Sequence, residues 1–251
     1  MKPHVLILGG TSEATALARK CADMGISGIV SFAGRVDRPV RQPLPQRVGG
    51  FGGAPGLATY LADARITHVI DATHPFAAQM SRNAIAACEL AGLPLGALTR
   101  PAWAQEQGDR WQNVPDIASA VLALERPAAR VMLAVGRMHL AEFTPNPQHF
   151  YLLRLVDPPK TALPFPNTQA IISRGPFTHS DDLALMRDHE IDIVVSKNSG
   201  GTGAYAKITA ARTLKLPVIM IARPQLPERT MLGSPDEVLA WVGHCETDRG
   251  V

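Results

Sequence analysis

The residues of this chain best placed for chemistry sit in glycine-containing turns that directly follow short apolar runs. Val5-Leu6-Ile7-Leu8 leads into Gly9-Gly10-Thr11-Ser12-Glu13-Ala14 and then into a helical pattern. Glycines there let the backbone approach a phosphate, and a helix start offers N–H groups with a partial positive charge. The turn predicts dinucleotide binding. Thr11 and Ala14 stand where G-x-G-x-x-G has its later glycines, so a plain helix start is the competing reading. About 25 residues on, Gly34-Arg35-Val36-Asp37-Arg38 follows a second apolar run. At that strand end an acid selects NAD, whereas an arginine pairs the 2'-phosphate of NADP. Arg35 therefore favours NADP, with a solvated basic loop as the alternative.

Arg47-Val48-Gly49-Gly50-Phe51-Gly52-Gly53 packs four glycines around one phenylalanine. Such density is costly in backbone entropy and suits a loop wrapped on a ligand, or a flexible lid. Asp71-Ala72-Thr73-His74-Pro75-Phe76-Ala77 follows Val69-Ile70. Pro75 fits the first position of a helix, with Thr73 or His74 as its cap. His74 either orients a nicotinamide or substrate or simply caps, and Asn83 reads as structural. Later in the chain, Ser173-Arg174-Gly175-Pro176-Phe177 and Ser196-Lys197-Asn198-Ser199-Gly200-Gly201-Thr202-Gly203 each follow an apolar strand. Both are polar, cationic and glycine-containing, which suits carboxylates or phosphates. Lys207 either reaches the same anion or faces solvent.

Other chemistries lack their residues. Lys197 precedes its glycines and no G-K-[ST] follows, which removes an ATPase loop. There is no H-E-x-x-H or G-x-S-x-G, the eight histidines are scattered, and Tyr60, Tyr151 and Tyr205 lack the lysine four residues on that short-chain reductases use. No metal site is expected. Cys21, Cys88 and Cys245 are too far apart for a disulfide framework, in keeping with a reducing cytoplasm. The net charge is only +3, aromatic residues make up 5%, and no run of about 18 apolar residues occurs, so neither nucleic acid nor a membrane is expected as partner.

These turns must be held by alternating strands and helices. Apolar runs at Val5 to Leu8, Gly28 to Ala33, Val69 to Asp71 and Leu95 to Leu98 alternate with helical patterns, and a similar rhythm follows from Val131 to Gly243. Right-handed β-α-β units and mainly parallel sheets follow. Leu93-Pro94, Leu95 to Leu98 and Arg100-Pro101 match Leu216-Pro217, Val218 to Ile221 and Arg223-Pro224 at a constant offset of 123. Likewise Leu61, Ile66 and Val69 parallel Met186, Ile191 and Val194. Duplication of a half-molecule is one reading; the other is that helix-Leu-Pro-strand is a common α/β turn. The expected fold is α/β, with two doubly wound, flavodoxin-like or Rossmann-like lobes and a cleft between them where strand C-terminal ends converge. The expected division is residues 1–127 for an NADPH-binding lobe and 128–251 for a substrate-binding lobe.

Taken together, Leu6 to Ala14, Gly49 to Gly53, Asp71 to Ala77, Arg100-Pro101 and Ser196 to Gly201 resemble the precorrin-6A reductase family of cobalamin biosynthesis. The likeness spans about residues 4 to 224. It implies a two-lobed fold and an oxidoreductase of the class acting on CH–CH groups, which uses NADPH to reduce one double bond of an anionic tetrapyrrole, precorrin-6A, giving precorrin-6B. A mildly basic cleft rich in N–H donors suits such a polyacid. On this resemblance Gly9, Gly10, Thr11, Ser12, Glu13, Gly34, Arg35, Gly50, Phe51, Gly52, Thr73 and His74 line the cofactor side. Arg174, Gly175, Phe177, Ser196, Asn198, Ser199, Gly200 and Gly201 line the substrate side or close over the nicotinamide, with Lys197 as protonating or charge-balancing group. The competing functions are an NADP-dependent reductase of another anionic substrate, cobalt-precorrin-6A included, and a non-catalytic NADP sensor.

Overall fold

The computed structural model describes residues 2–34 and 41–247. The chain forms two compact units, one of residues 1–100 with 225–251, the other of residues 101–224.

The first unit contains β1 (His4–Leu8), α1 (Ser12–Asp23), β2 (Ser27–Phe32), β3 (Gln46–Val48), α2 (Gly53–Asp63), β4 (His68–Asp71), α3 (Ala78–Ala91) and β5 (Leu95–Leu98). All these strands run parallel, in the order β3-β2-β1-β4-β5. Every residue of Val5–Leu8 is buried, because helices cover both sheet faces and each alternate residue needs an apolar neighbour. Val5 and Ile7 face Leu17, Ala18 and Cys21 of α1, while Leu6 and Leu8 face Leu57, Leu61 and Ala84 of α2 and α3. The sequence of α1 dictates that packing, since Ala14, Leu17, Ala18 and Cys21 fall on one stripe at helical spacing.

The second unit contains β6 (Arg110–Val114), α4 (Ile117–Leu122), β7 (Arg130–Ala134), a 3-10 helix (Arg137–Phe143), β8 (Phe150–Leu155), β9 (Thr168–Ile172), α5 (His179–Asp188), β10 (Ile193–Lys197), α6 (Ala206–Thr213) and β11 (Pro217–Ile221). Its parallel sheet runs β6-β11-β10-β7-β8-β9. The chain then returns to the first unit with β12 (Thr230–Leu232), which pairs with β5, and α7 (Pro235–Thr247).

Both sheets therefore have one topology. Number the strands of each half from its start, and each sheet reads 3-2-1-4-5 with a sixth strand beyond the fifth, the order of dinucleotide-binding folds rather than the 2-1-3-4-5 of flavodoxin. The sixth strand is exchanged, for β6 follows β5 in sequence yet pairs with β11, and β12 follows β11 yet pairs with β5. That exchange corrects the expected division at 127/128. The sequence repeat runs by halves, but residues 101–127 belong to the second sheet and residues 225–251 to the first. The chain changes units between Arg100 and Pro101, within the first repeated Arg-Pro pair, and again between Pro224 and Gln225, directly after the second.

The matched Leu-Pro segments lead into β5 and β11, and the matched helix ends share their geometry. Ile66 and Ile191 N–H donate to the Leu61 and Met186 carbonyls at 2.9 Å each, closing the same 6→1 turn after α2 and α5. Among the described residues no helix is long and apolar enough to cross a membrane.

Candidate functional site

In sheets of this order ligands lie beyond the strand C-terminal ends, at the switch point between the first and fourth strands. In the first unit that point lies between β1 and β4, whose following turns are Gly9 to Ser12 and Ala72 to Ala77. A Cβ on Gly9 would stand 3.1 Å from Val30 Cγ1 and 3.2 Å from the Phe32 ring, so this glycine lets the turn pack on β2. Gly10 is different: its φ is +125° and nothing lies within 4 Å of where a Cβ would be. It gives the backbone a conformation that L side chains rarely adopt and leaves its face open.

Thr11 caps α1, accepting from Ala14 N–H at 3.1 Å, and donates its hydroxyl proton to the Ala72 carbonyl at 2.8 Å. One side chain thus ties both flanks of the switch point. Ser12 donates to Glu13 at 3.0 Å, and Glu13 pairs with Arg100 at 2.7 Å. Partial burial pushes the Glu13 carboxyl up, but its own amide, Arg100 and Ser12 outweigh this and hold it below the ordinary value.

The glycine loop after β3 is braced rather than loose. Arg47 donates to Ser31 Oγ at 2.9 Å and to the Gly49 and Gly50 carbonyls at 3.0 and 3.1 Å. Its guanidinium lies 3.9 Å from the Phe51 ring centre, and Phe51 packs on Tyr60 with centroids 5.1 Å apart. Gly52 opens α2 in the left-handed region. Arg47 is a residue the sequence reading passed over, although it stands at the head of the quoted loop. Gly34, with φ +74°, ends the described part of the β2 turn; Arg35 lies outside the described residues.

After β4, the buried Asp71 organises the turn. Its Oδ1 accepts from Thr73 N–H at 3.1 Å and Thr73 Oγ1 at 2.6 Å, its Oδ2 accepts from Ser81 Oγ at 2.6 Å, and Arg229 pairs with it. His74 Nδ1 accepts from Phe76 N–H at 3.2 Å, which places the proton of a neutral ring on Nε2. The expected helix start moves: α3 begins at Ala78 with Ala77 as its cap residue, so neither Thr73 nor His74 caps it and Pro75 precedes it. The cause is Asp71, which binds Thr73 into a turn of its own. Asn83 accepts from Gln79 at 2.9 Å on the exposed face of α3.

In the second unit the expected substrate residues fall into two groups. Ser196 and Lys197 end β10 and are both buried, with Asn198, Ser199, Gly200 and Gly201 beyond them. Asn198 accepts from Trp103 N–H at 2.8 Å and donates to the Trp103 carbonyl at 2.9 Å, while Arg223 donates to the Asn198 and Ser199 carbonyls at 3.1 Å each. A Cβ on Gly200 would lie 2.1 Å from the Pro101 carbonyl oxygen, so the loop is closed down on residues 101–103. Lys207 donates to the Ala204 carbonyl at 2.6 Å and lies 4.8 Å from the Trp103 ring centre. Arg174, Gly175 and Phe177 follow β9, three strand positions away, or about 14 Å at the usual strand spacing. Arg174 pairs with Asp157, and Phe177 packs under Arg154 at 4.2 Å.

Between these groups lies a turn the sequence reading missed, Val135-Gly136-Arg137-Met138 after β7. Strand pairing makes it the counterpart of Gly9 to Ser12: Leu8 pairs with Asp71 and Ala134 with Ser196, so Gly136, with φ +83°, answers to Gly10. Carrying the internal repeat three strands further back, from β4 and β10 to β1 and β7, would have found it. Among the described residues no three His, Cys, Asp or Glu side chains are grouped to hold a metal ion.

The first switch point suits a dinucleotide in its chemistry, with an open glycine, the N-terminus of a twelve-residue helix and a fixed glycine loop beside it. The sequence model of the family described as Precorrin-6x reductase CbiJ/CobK matches residues 4–243. The precorrin-6A reductase of Rhodobacter capsulatus is 54% identical over 249 residues, covering 99% of each chain. The cobalt-precorrin-6A reductase of Priestia megaterium is 28% identical over 250 residues, covering 94% of this chain and 96% of its own. A solved structure described as CobK precorrin-6A reductase superposes with a TM-score of 0.93 at 53% identity, covering 96% of both chains.

Proposed function

Because the chain belongs to the precorrin-6x reductase family of cobalamin biosynthesis, we propose that it reduces one double bond of precorrin-6A with NADPH, giving precorrin-6B. The observation that carries this is the Gly9-Gly10-Thr11 turn at the switch point of a 3-2-1-4-5-6 sheet, in a chain matched by that family from residue 4 to 243. The higher likeness to a precorrin-6A reductase, 54% against 28% for a cobalt-precorrin-6A reductase, favours the metal-free substrate.

NADPH, when bound, would supply the hydride, and the chain's part would be to hold donor and acceptor in reach of each other. Gly10, Thr11 and Ser12 would hold the pyrophosphate by backbone donors, while the Gly9 N–H is committed to the Ser31 carbonyl at 2.8 Å and fixes the turn on β2. Gly34 would border the adenosine ribose, and the sequence puts Arg35, outside the described residues, directly after it, where an arginine would pair the 2'-phosphate. Gly50, Phe51, Gly52, Thr73 and His74 would border the remainder, with Thr73 fixed by Asp71 and the His74 ring oriented by the Phe76 N–H. Glu13 acts at one remove by securing Arg100. Lys197 balances charge or delivers the proton that completes addition of H2 across the bond. The protein's share of the work is orientation and electrostatics, because a conjugated macrocycle accepts hydride readily. A cytoplasmic setting suits the enzyme.

Anaerobic mixing with NADPH and precorrin-6A tests this, following nicotinamide absorbance and the macrocycle spectrum together. Equimolar loss of both reactants is expected; no NADPH oxidation would overturn the reading. NADH reacting as fast as NADPH would remove the role of Arg35. In single turnovers, Lys197→Ala and Lys197→Met should slow reduction without weakening NADPH binding, and full hydride transfer in either would strip Lys197 of its role.

A further inference from the structure

Asp71 and Arg229 pair beside the first switch point, where a charge bears directly on what can bind. Asp71 ends β4 in register with Leu8, two residues before Gly10, and Thr11 ties the turns after both strands together through the Ala72 carbonyl. One strand spacing across and two residues along set the Asp71 Cα about 8 Å from that of Gly10. A carboxylate is useful there, because Oδ1 fixes the Thr73 N–H and hydroxyl while Oδ2 holds Ser81 on α3. Its charge is a liability. Two like charges about 8 Å apart at the effective dielectric of a protein change a binding constant roughly tenfold, and the burial of Asp71 limits screening by salt. Arg229 cancels that charge. Its half-buried guanidinium comes from the segment that leads into β12, held by Arg82, which donates to the Gln225 carbonyl at 3.2 Å, and by the pairing of β12 with β5. Strand register and the repeat of 123 align Asp71 with Ser196 and Arg229 with Trp111. The second unit thus builds the same strand end without an ion pair, so the pair belongs to the first unit's site and not to the shared fold.

We propose that Arg229 is a positioning residue for the reductase that acts through Asp71: it neutralises the carboxylate that fixes the Thr73-His74 turn, so that the pyrophosphate of NADPH lies at the Gly10 turn unopposed. The inference rests on the reductase reading above and deepens it. The dinucleotide site then depends on a side chain 158 positions along the chain from Asp71. What Arg229 contributes is charge, since the turn takes its hydrogen bonds from Asp71 itself. A lysine at position 229 meets that need, and an uncharged pair at both positions meets it equally.

Fluorescence titration of the full chain with NADPH tests this, alongside thermal melts and steady-state kinetics. Arg229→Gln should weaken NADPH binding about tenfold, with KM for precorrin-6A unchanged. Adding Asp71→Asn to Arg229→Gln should restore binding to within about twofold of the wild type, because the carboxamide keeps an acceptor for Thr73 and carries no charge. Ser81→Ala removes a neutral hydrogen bond from the same carboxylate oxygen, so it should lower the melting temperature and move the NADPH constant by less than about twofold. Arg229→Lys keeps the charge and loses the fork, and should bind NADPH nearly as the wild type does. It carries the test if Arg229→Gln does not fold, and a loss of about tenfold in Arg229→Lys would then count against the inference. A folded Arg229→Gln with wild-type affinity, a double variant no better than the single one, or an equal loss in Ser81→Ala overturns the role of Arg229 while the reductase reading stands. A wild type that oxidises no NADPH with precorrin-6A overturns the reductase reading on which that role rests.

Discussion

The two units share one topology and put their polar groups to opposite uses. In the first, the turn after β4 is anchored inward on Asp71, a buried carboxylate of its own strand, and the turn after β1 is open at Gly10. In the second, the turn after β10 is anchored on an incoming segment, through Asn198 and Trp103, and it is the turn after β7 that leaves the exposed Arg137 without a hydrogen-bond or ion-pair partner among the described residues. Each Arg-Pro pair at a crossover is also secured by its arginine, Arg100 to Glu13 and Arg223 to the Asn198 and Ser199 carbonyls. A shared strand order therefore does not bring shared loop contacts. The scaffold repeats, while the contacts that fix each loop decide which groups remain for a ligand.

The sharpest test of that contrast compares the two anchors. Asp71→Ala leaves the half-buried Arg229 beside an empty position and unties Thr73 and Ser81, and should cost about 3 kcal/mol. Asn198→Ala removes two neutral hydrogen bonds to a backbone and should cost about 2 kcal/mol. Urea denaturation of both variants measures the pair. Equal losses would mean that the ionic anchor is no stronger than the amide one.

Glycine substitutions come next. Gly200→Ala forces a Cβ against the Pro101 oxygen and Arg223 at a φ of +68°, and should cost about 3 kcal/mol. Gly10→Ala meets no atom within 4 Å and bears only the strain of its φ, about 1–2 kcal/mol, yet should weaken NADPH binding while Gly200→Ala, if folded, should not. Thermal melts with and without NADPH separate the two effects. Cofactor-dependent stabilisation that survives in Gly10→Ala would close the first switch point as the dinucleotide site.

A smaller effect concerns the first crossover. The Glu13 carboxyl, held below its ordinary 4.5, adds stability that is complete above that value and fades as the pH falls through the lowered one. Below pH 4.5 the melting temperature of Glu13→Gln should therefore fall less steeply with acid than that of the wild type. Parallel curves would remove the Arg100 pair from the account.

Much of this was legible in the sequence, for reasons the structure makes plain. The central strands β1, β4, β10 and β11 are covered on both faces, so each carries an uninterrupted apolar run, with polar residues such as His4, His68, Asp71, Ser196 and Lys197 confined to the strand ends. Edge strands β3, β6 and β12 carry exposed polar residues, as in Arg110-Trp111-Gln112-Asn113, and three-residue strands show no period at all. The exchange of β6 and β12 was therefore hidden: pairing partners leave no trace in a half-exposed strand. The glycine turns announced a rim of backbone donors, but Asn198 looked like a ligand group because nothing local reveals that residues 101–103, about a hundred positions earlier, would occupy it. The Gly136-Arg137 turn was missed for the converse reason, since a single arginine between Gly136 and Met138 has no motif until the repeat aligns it with Thr11.

The finest test of the repeat lies at matched helix ends. Arg65 after α2 and Glu190 after α5 hold left-handed backbones, with φ of +51° and +47°, and both side chains are exposed. Each closes the same turn, donating from its N–H to Ala62 at 3.0 Å and to Arg187 at 3.0 Å. A side chain there strains the backbone by about 1–2 kcal/mol, whereas glycine adopts the conformation freely at an entropic cost of roughly 0.5–1 kcal/mol. Arg65→Gly and Glu190→Gly should therefore each stabilise the protein by about 0.5–1 kcal/mol, raising the melting temperature by about 1–4 °C. Because the positions correspond, the two shifts should agree, and the double variant should show their sum. A gain at one site and a loss at the other would show that the halves, alike in topology, no longer share their local energetics.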